Sequence, residues 1–216
     1  MDQKTKKDLE ALAEMFQRRQ GIADKLVEDD PNLSPITAII IAGDMESADK
    51  AYSLMESKGV TYQRASVLVG SYARLDFAMR AYENGYVDLD TLLDDLPELW
   101  RGSDPDDTDP RFLDLWKRAW IRNKRHYIRD GKALPSRQYL NIYRGQKESD
   151  TYGIAWSLDP KIAQKFARGA GTRQADYPGV VYRARVARAK VYAYLTGRGE
   201  SEVIVDPIWL LPPEGK

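Results

Sequence analysis

The sequence predicts an α+β protein, with a helical N-terminal part followed by a small, strand-rich C-terminal part. Two observations predict this class. Residues 1–134 place apolar side chains at helical spacing, between helix caps and glycine stops. Residues 135–216 contain short runs of β-branched and aromatic side chains bounded by turn residues, as strands do. We expect the helices to pack on the C-terminal part, because that part is small for an independent core.

The first helix is predicted from Leu9, Leu12, Ala13 and Phe16, which follow one another at helical spacing. Caps predict that later helices begin at Ser34, Asp44, Thr61, Asp88 and Asp109. Stops predict helix ends at Gly59, Pro97 and Gly131. An alternative interpretation makes residues 36–43 and 60–70 strands on either side of one helix, as in a βαβ unit.

Five strands and one helix are predicted in the C-terminal part. The strands cover residues 138–145, 153–159, 179–186, 189–196 and 201–207. The helix begins after Asp159, which is a good N-cap and is followed by proline at the first helical position.

Composition indicates an ordinary globular protein and excludes several kinds of chemistry. Among 216 residues, 33 basic side chains balance 33 acidic ones, which argues against a dedicated nucleic-acid or membrane-surface binder. The absence of cysteine excludes thiol catalysis, disulfides and cysteine zinc sites, and a single histidine, His126, excludes a histidine-rich metal site. No apolar run is long enough to span a bilayer, so we expect a cytoplasmic location and no membrane partner.

Polar side chains occur at the ends of three predicted strands. Arg144 ends one strand beside Gly145, Ser157 lies just before a helix, and Glu200 and Glu202 open the last strand. An arginine can hold a phosphate bidentately, and a glycine allows close approach of a ligand. If strand geometry holds, Glu200 and Glu202 lie on one face, where one can stabilise a developing cation and the other can accept a proton. The set suits a phosphate-bearing substrate that ionises to an oxocarbenium ion.

Residues 137–213 resemble the ADP-ribosyltransferase fold, in its arginine–serine–glutamate class, which includes many bacterial toxins. The family's aromatic-arginine-glycine motif matches Tyr143 to Gly145, and its glutamate-x-glutamate motif matches Glu200 to Glu202. Its serine-threonine-serine motif is matched only by Ser157, because Leu158 and Asp159 occupy the next two positions.

The resemblance implies a reaction on NAD without a metal. By motif, Glu202 would stabilise the ribose cation, Glu200 would activate the acceptor, and Ser157 would brace Glu202. Arg144 would contact the NAD diphosphate, so the implied NAD-binding residues are Tyr143, Arg144, Gly145 and Ser157. ADP-ribose would pass to a macromolecule; in the family, glutamate in the first position of the last motif is associated with arginine acceptors, although other acceptors occur.

Other functions stay open at this level. The same site could transfer ADP-ribose to water, as an NAD glycohydrolase, or the chain could be a non-enzymatic phage or host-interaction module with a degenerate fold. The helical part loosely resembles uncharacterised phage and actinobacterial sequences, and a phage origin would place the protein in the host cytoplasm. A basic stretch from Lys117 to Lys132 carries interleaved aromatic side chains and could contact nucleic acid. A solvated helix face explains the same pattern.

Overall fold

The computed structural model describes residues 3–31, 33–103, 107–169 and 179–213. In these ranges the chain forms eight α-helices and six strands. The helices are α1 Gln3–Asp29, α2 Pro35–Lys58, α3 Tyr62–Ser66, α4 Arg74–Glu83, α5 Leu89–Asp94, α6 Leu96–Gly102, α7 Pro110–Arg122 and α8 Pro160–Ala167. The strands are β1 Ile128–Arg129, β2 Tyr139–Lys147, β3 Ala155–Ser157, β4 Gly179–Ala187, β5 Val191–Leu195 and β6 Glu202–Val205. The predicted α+β class is confirmed.

The first two helices are longer than the sequence predicts. The Ser34 side chain caps α2 by accepting from the Thr37 N–H at 3.1 Å, and Gly59 ends the helix with φ 61°. Asp44 does not begin a helix, because α2 continues through it; its carboxylate accepts instead from the Tyr72 N–H at 3.0 Å. Since residues 36–43 belong to α2 and α3 lies within 60–70, the βαβ alternative is wrong.

Two predicted helix ends are also wrong. Pro97 lies in the first turn of α6, where its missing N–H costs no hydrogen bond, instead of closing the preceding helix. The helix that begins at Pro110 ends at Arg122 and not at Gly131. Lys124 and Arg125 follow with φ 54° and 62°, a left-handed conformation that cannot continue a right-handed helix.

The sheet has the strand order β1-β5-β6-β3-β2-β4. β1 runs parallel to β5, and the other neighbours are antiparallel. The five predicted strands are confirmed, and β1 is an addition, since two residues are too few for an alternating pattern. Among the described helices, none has the length and apolar character needed to cross a membrane.

The chain divides into two compact units. One comprises Met1–Leu92 and Leu99–Asp104, and the other comprises Leu93–Glu98 and Pro105–Lys216. The second unit contains α7, which packs on β5, so the expectation that helices cover the sheet is confirmed for this helix. The division therefore does not coincide with the predicted boundary between residues 134 and 135. The assignment of catalysis to residues 135–216 stays a prediction.

The sheet of the second unit has two different faces. One, the core face, carries a cluster of apolar side chains: Leu134, Leu140, Ile142, Trp156, Ala184, Val186, Val191, Tyr194, Val203 and Val205. Because successive strand residues point to opposite faces, Tyr143, Ser157 and Glu202 belong to the other face, which we call the polar face. Helix α8 packs on β2 from the polar face, at Gly145.

Candidate active site

Three of the predicted site residues form one row across the sheet. Tyr143 of β2 pairs with Ser157 of β3, and Ser157 pairs with Glu202 of β6. Directly opposed residues of antiparallel strands share a face, with Cβ atoms about 5 Å apart. The fold thus brings one residue from each of the three sequence motifs together, although they are far apart in the chain. We call Tyr143, Ser157 and Glu202 the polar row.

Ser157 is the buried centre of the polar row, with 6% of its surface exposed. Its hydroxyl donates to the carbonyl of Glu200 at 2.6 Å and accepts from the Asp159 N–H at 3.0 Å. A hydroxyl has one proton, and here the main chain of Glu200 receives it. Ser157 therefore braces the segment that leads into Glu202 through the backbone, and not through the Glu202 carboxylate as the resemblance implies.

Glu200 lies outside the strand that Glu202 begins. Ser201, between them, has φ 47°, a left-handed conformation that costs an ordinary residue about 1–2 kcal/mol. Hydrogen bonds to both sides hold it in place, since the Ser201 carbonyl accepts from the Leu158 N–H at 3.0 Å and the Glu200 carbonyl accepts from Ser157. The assumption that the two glutamates alternate along one strand is therefore wrong. One carboxylate belongs to the sheet and the other to the turn before it.

Arg144 is on the core face, opposite to the polar row. It follows Tyr143 directly in β2, and its cross-strand neighbour in β4 is Tyr182. Its guanidinium is held by three partners: the Asp107 carboxylate, the Gln146 side chain and the Ala155 carbonyl, the last at 2.7 Å. Only 14% of the Arg144 side chain and 18% of the Asp107 side chain are exposed.

Asp107 joins the loop before α7 to the strands. Besides the ion pair with Arg144, its carboxylate accepts from the Ala155 N–H at 3.2 Å, and its carbonyl accepts from the Ile154 N–H at 3.0 Å. Arg144 is thus part of a network that fixes this loop against β2 and β3. The structure does not bring its guanidinium to Ser157 or Glu202, and its assignment to the NAD diphosphate stays a prediction.

Gly145 makes room for the protein itself. A Cβ atom at this position would lie 2.0 Å from the Ala163 carbonyl oxygen and 2.4 Å from the Ala167 nitrogen, both in the backbone of α8. The close approach that we expected at this glycine is therefore made by a helix. The Asp159 N–H donates to the Ser157 hydroxyl, and α8 begins at the next residue, Pro160, so this contact also fixes the end of β3.

Sequence reasoning missed two groups near the row. Arg183 of β4 is paired with Tyr143 and so extends the row by one strand. The Oδ1 atom of Asn141, two residues before Tyr143 on the same face, is buried and has no hydrogen-bond partner among the described residues. The alternation in residues 182–186 indicates that Arg183 and Arg185 share one face. It does not indicate that β4 pairs with β2, which is what places Arg183 beside Tyr143.

The basic stretch from Lys117 to Lys132 is not one helical face. It comprises the end of α7, the left-handed turn at Lys124 and Arg125, and β1. Two of its arginines form ion pairs with acidic side chains, Arg118 with Asp114 at 2.6 Å and Arg122 with Asp94. His126 is exposed. Nucleic acid as a partner stays a prediction that the ion pairs weaken, because paired cations attract a polyanion less strongly.

No family model, no curated protein and no solved structure matches this chain. Within the described residues, no group of three or more histidine, aspartate or glutamate side chains is arranged to hold a metal ion. The polar row and the motifs that supply it are therefore the features that indicate a function.

Proposed function

We propose that the protein is a mono-ADP-ribosyltransferase, which cleaves NAD and transfers ADP-ribose to a macromolecular acceptor. The observation that carries the proposal is the polar row: the aromatic, serine and glutamate motifs meet on three neighbouring strands. β6 pairs with β3 although α8, β4 and β5 lie between them in the chain, so the serine and glutamate motifs meet only through the fold.

The proposed reaction begins at the bond between nicotinamide and ribose. Nicotinamide leaves with the bonding electron pair, and the anomeric carbon becomes an oxocarbenium ion. The Glu202 carboxylate stabilises this cation, because the positive charge on the ribose ring is larger at the transition state than in the bound substrate. An acceptor nucleophile then attacks the anomeric carbon and loses its proton to a base. The products are nicotinamide, the ADP-ribosylated acceptor and a proton.

Glu200 is the proposed base for the acceptor. Its place in the turn before β6 separates it from Glu202, so that one carboxylate can stay with the ribose while the other meets the incoming nucleophile. Ser157 is a positioning residue in this scheme, because it sets the backbone of Glu200 through the 2.6 Å hydrogen bond. The acceptor class is a protein, with arginine as the first side chain to test.

The test uses purified protein, NAD labelled in the adenylate part, and a bacterial lysate. We expect label on a macromolecule with the wild-type protein and a loss of roughly 10²–10⁴-fold with Glu202→Gln, the range for a removed charge-stabilising or acid–base group. Glu148→Gln is the matched control, since Glu148 is exposed in the turn after β2. Release of nicotinamide without labelled macromolecule would identify an NAD glycohydrolase instead. No NAD turnover at all would refute enzymatic function and favour the interaction module.

A further inference from the structure

The geometry points to Arg183, and not Arg144, as the arginine that binds the diphosphate of NAD. This inference rests on the proposed function, because it names the anion-binding residue of the same site. It departs from the motif, which assigns that role to Arg144. The reason is the side of the sheet on which each arginine lies.

The cross-strand pairing places Arg183 in line with the polar row. Arg183 pairs with Tyr143, Tyr143 with Ser157, and Ser157 with Glu202. Opposed residues of antiparallel strands share a face, so the four residues from β4, β2, β3 and β6 lie on the polar face. Arg144 alternates with Tyr143 and lies on the other face, beside Trp156 and the apolar core cluster.

The row separates Arg183 from Glu202, as NAD separates its diphosphate from the anomeric carbon of the ribose. Neighbouring strands are about 4.8 Å apart, so the backbones of Arg183 and Glu202 are separated by about 14 Å. In NAD one ribose separates the anomeric carbon from the diphosphate, so the anion-binding group must stand away from the catalytic carboxylate and not beside it. The long side chain of Arg183 can extend along the sheet and close part of the separation.

The two arginines also differ in whether their charge is available. The Arg144 guanidinium is mostly buried and is engaged by Asp107, Gln146 and the Ala155 carbonyl. To bind a diphosphate it would have to leave an anionic partner that is itself nearly buried. Arg183 is exposed, and no carboxylate of the described residues forms an ion pair with it. A free guanidinium fork is the group that recognises phosphate oxygens bidentately.

Asn141 adds an independent polar group to the same face. It lies two residues before Tyr143 in β2, and its Oδ1 atom is buried without a hydrogen-bond partner among the described residues. A buried acceptor without a donor destabilises the fold, and a hydrogen bond from a ligand would satisfy it. NAD carries such donors in its ribose hydroxyls. Asn141 is paired with Arg185, so this acceptor lies on the polar face beside the row that holds Arg183 and Glu202.

The experiment measures binding of ADP-ribose and of adenosine, which lacks the diphosphate, by titration calorimetry. We expect Arg183→Gln to weaken ADP-ribose binding by roughly ten- to hundredfold, the effect of a lost charge-assisted hydrogen bond, and to leave adenosine binding unchanged. Arg183→Lys should restore part of the affinity, because it keeps the charge and loses the fork. Arg137→Gln is the matched control, since Arg137 is exposed and precedes β2.

Three results of the binding experiment would overturn the assignment of Arg183. If wild-type protein binds ADP-ribose and Arg183→Gln binds it equally well, Arg183 is not the diphosphate ligand and the proposed function stands. If Arg183→Gln and Arg137→Gln weaken binding to the same extent, the effect is one of net charge and the inference also fails. If the wild-type protein neither binds ADP-ribose nor turns over NAD, the proposed function fails and this inference fails with it.

Discussion

Gly145→Ala tests the contact on which the geometry of the polar row depends. Ordinary van der Waals contact begins at 3.4 Å, and the new Cβ would meet the Ala163 carbonyl oxygen at 2.0 Å, so β2 and α8 must separate by about 1.4 Å. Both nearest atoms belong to the helix backbone, and no side-chain rotation can relieve the overlap. Overpacking of this kind costs about 1–3 kcal/mol, and we expect the upper end, about 3 kcal/mol.

The assay is urea unfolding followed by tryptophan fluorescence, because Trp156 is buried in the core of the same sheet. Gly21→Ala is the matched control: Gly21 is inside α1, and a Cβ there meets nothing within 4 Å. Gly21→Ala should raise the free energy of unfolding, measured by circular dichroism, by about 0.5–1 kcal/mol, because alanine has a higher helix propensity than glycine. A Gly145→Ala protein with the unfolding midpoint of the wild type would refute the close packing of α8 on β2.

Substitutions at three further positions probe the same unit. Asp107→Asn should lower the free energy of unfolding by about 2 kcal/mol in urea titrations, because Arg144 loses its ionic partner. If the double variant Asp107→Asn, Arg144→Met loses as much free energy as the two single variants added together, the two side chains are not coupled. Ser201→Gly should raise stability by about 1 kcal/mol in the same assay by relieving the left-handed backbone, and any loss would show that the serine side chain is needed. Asp109 caps α7 and is paired with Arg111, whose hydrogen bonds hold the pKa of the Asp109 carboxyl below its usual range. Its charge therefore contributes stability above the unfolded-state pKa, and this contribution is lost as the pH falls through the folded-state pKa. Asp109→Asn should keep the cap and make the free energy of unfolding fall less as the pH is lowered. Asp109→Ala should lower the free energy of unfolding by about 1 kcal/mol at neutral pH. If the wild type and Asp109→Asn lose stability equally on acidification, titration of Asp109 does not contribute.

Local signals determined most of the secondary structure. Ser34, Asp109 and Asp159 each begin a helix as predicted, because a side-chain cap depends only on the two or three residues that follow it. Asp44 has the same local potential and does not use it, since the apolar residues before it already form a helix and its carboxylate finds the Tyr72 N–H instead. A capping residue begins a helix only where the residues before it are not already helical.

The candidate site shows the same division between local and tertiary information. The resemblance implied one site made of Arg144, Ser157, Glu200 and Glu202. The sheet brings Ser157 and Glu202 together, beside Tyr143, and places Arg144 on the opposite face. Alternation in β2 requires that Tyr143 and Arg144 lie on opposite faces, but it does not say which of them shares a face with Ser157. A shift of one residue in the pairing of β2 with β3 would have exchanged them.

The sequence by itself determined the α+β class, the five longer strands, the helix caps at Ser34, Asp109 and Asp159, and the residue types of the site. The tertiary structure decided which strands pair, in what register, and therefore that Arg144 is bound to Asp107 while Arg183 joins the row. It also placed a helix backbone against Gly145 and a left-handed residue between the two glutamates. The physical reason is range: caps and alternation act over a few residues, whereas register is set by burying the core face of strands that are distant in the chain.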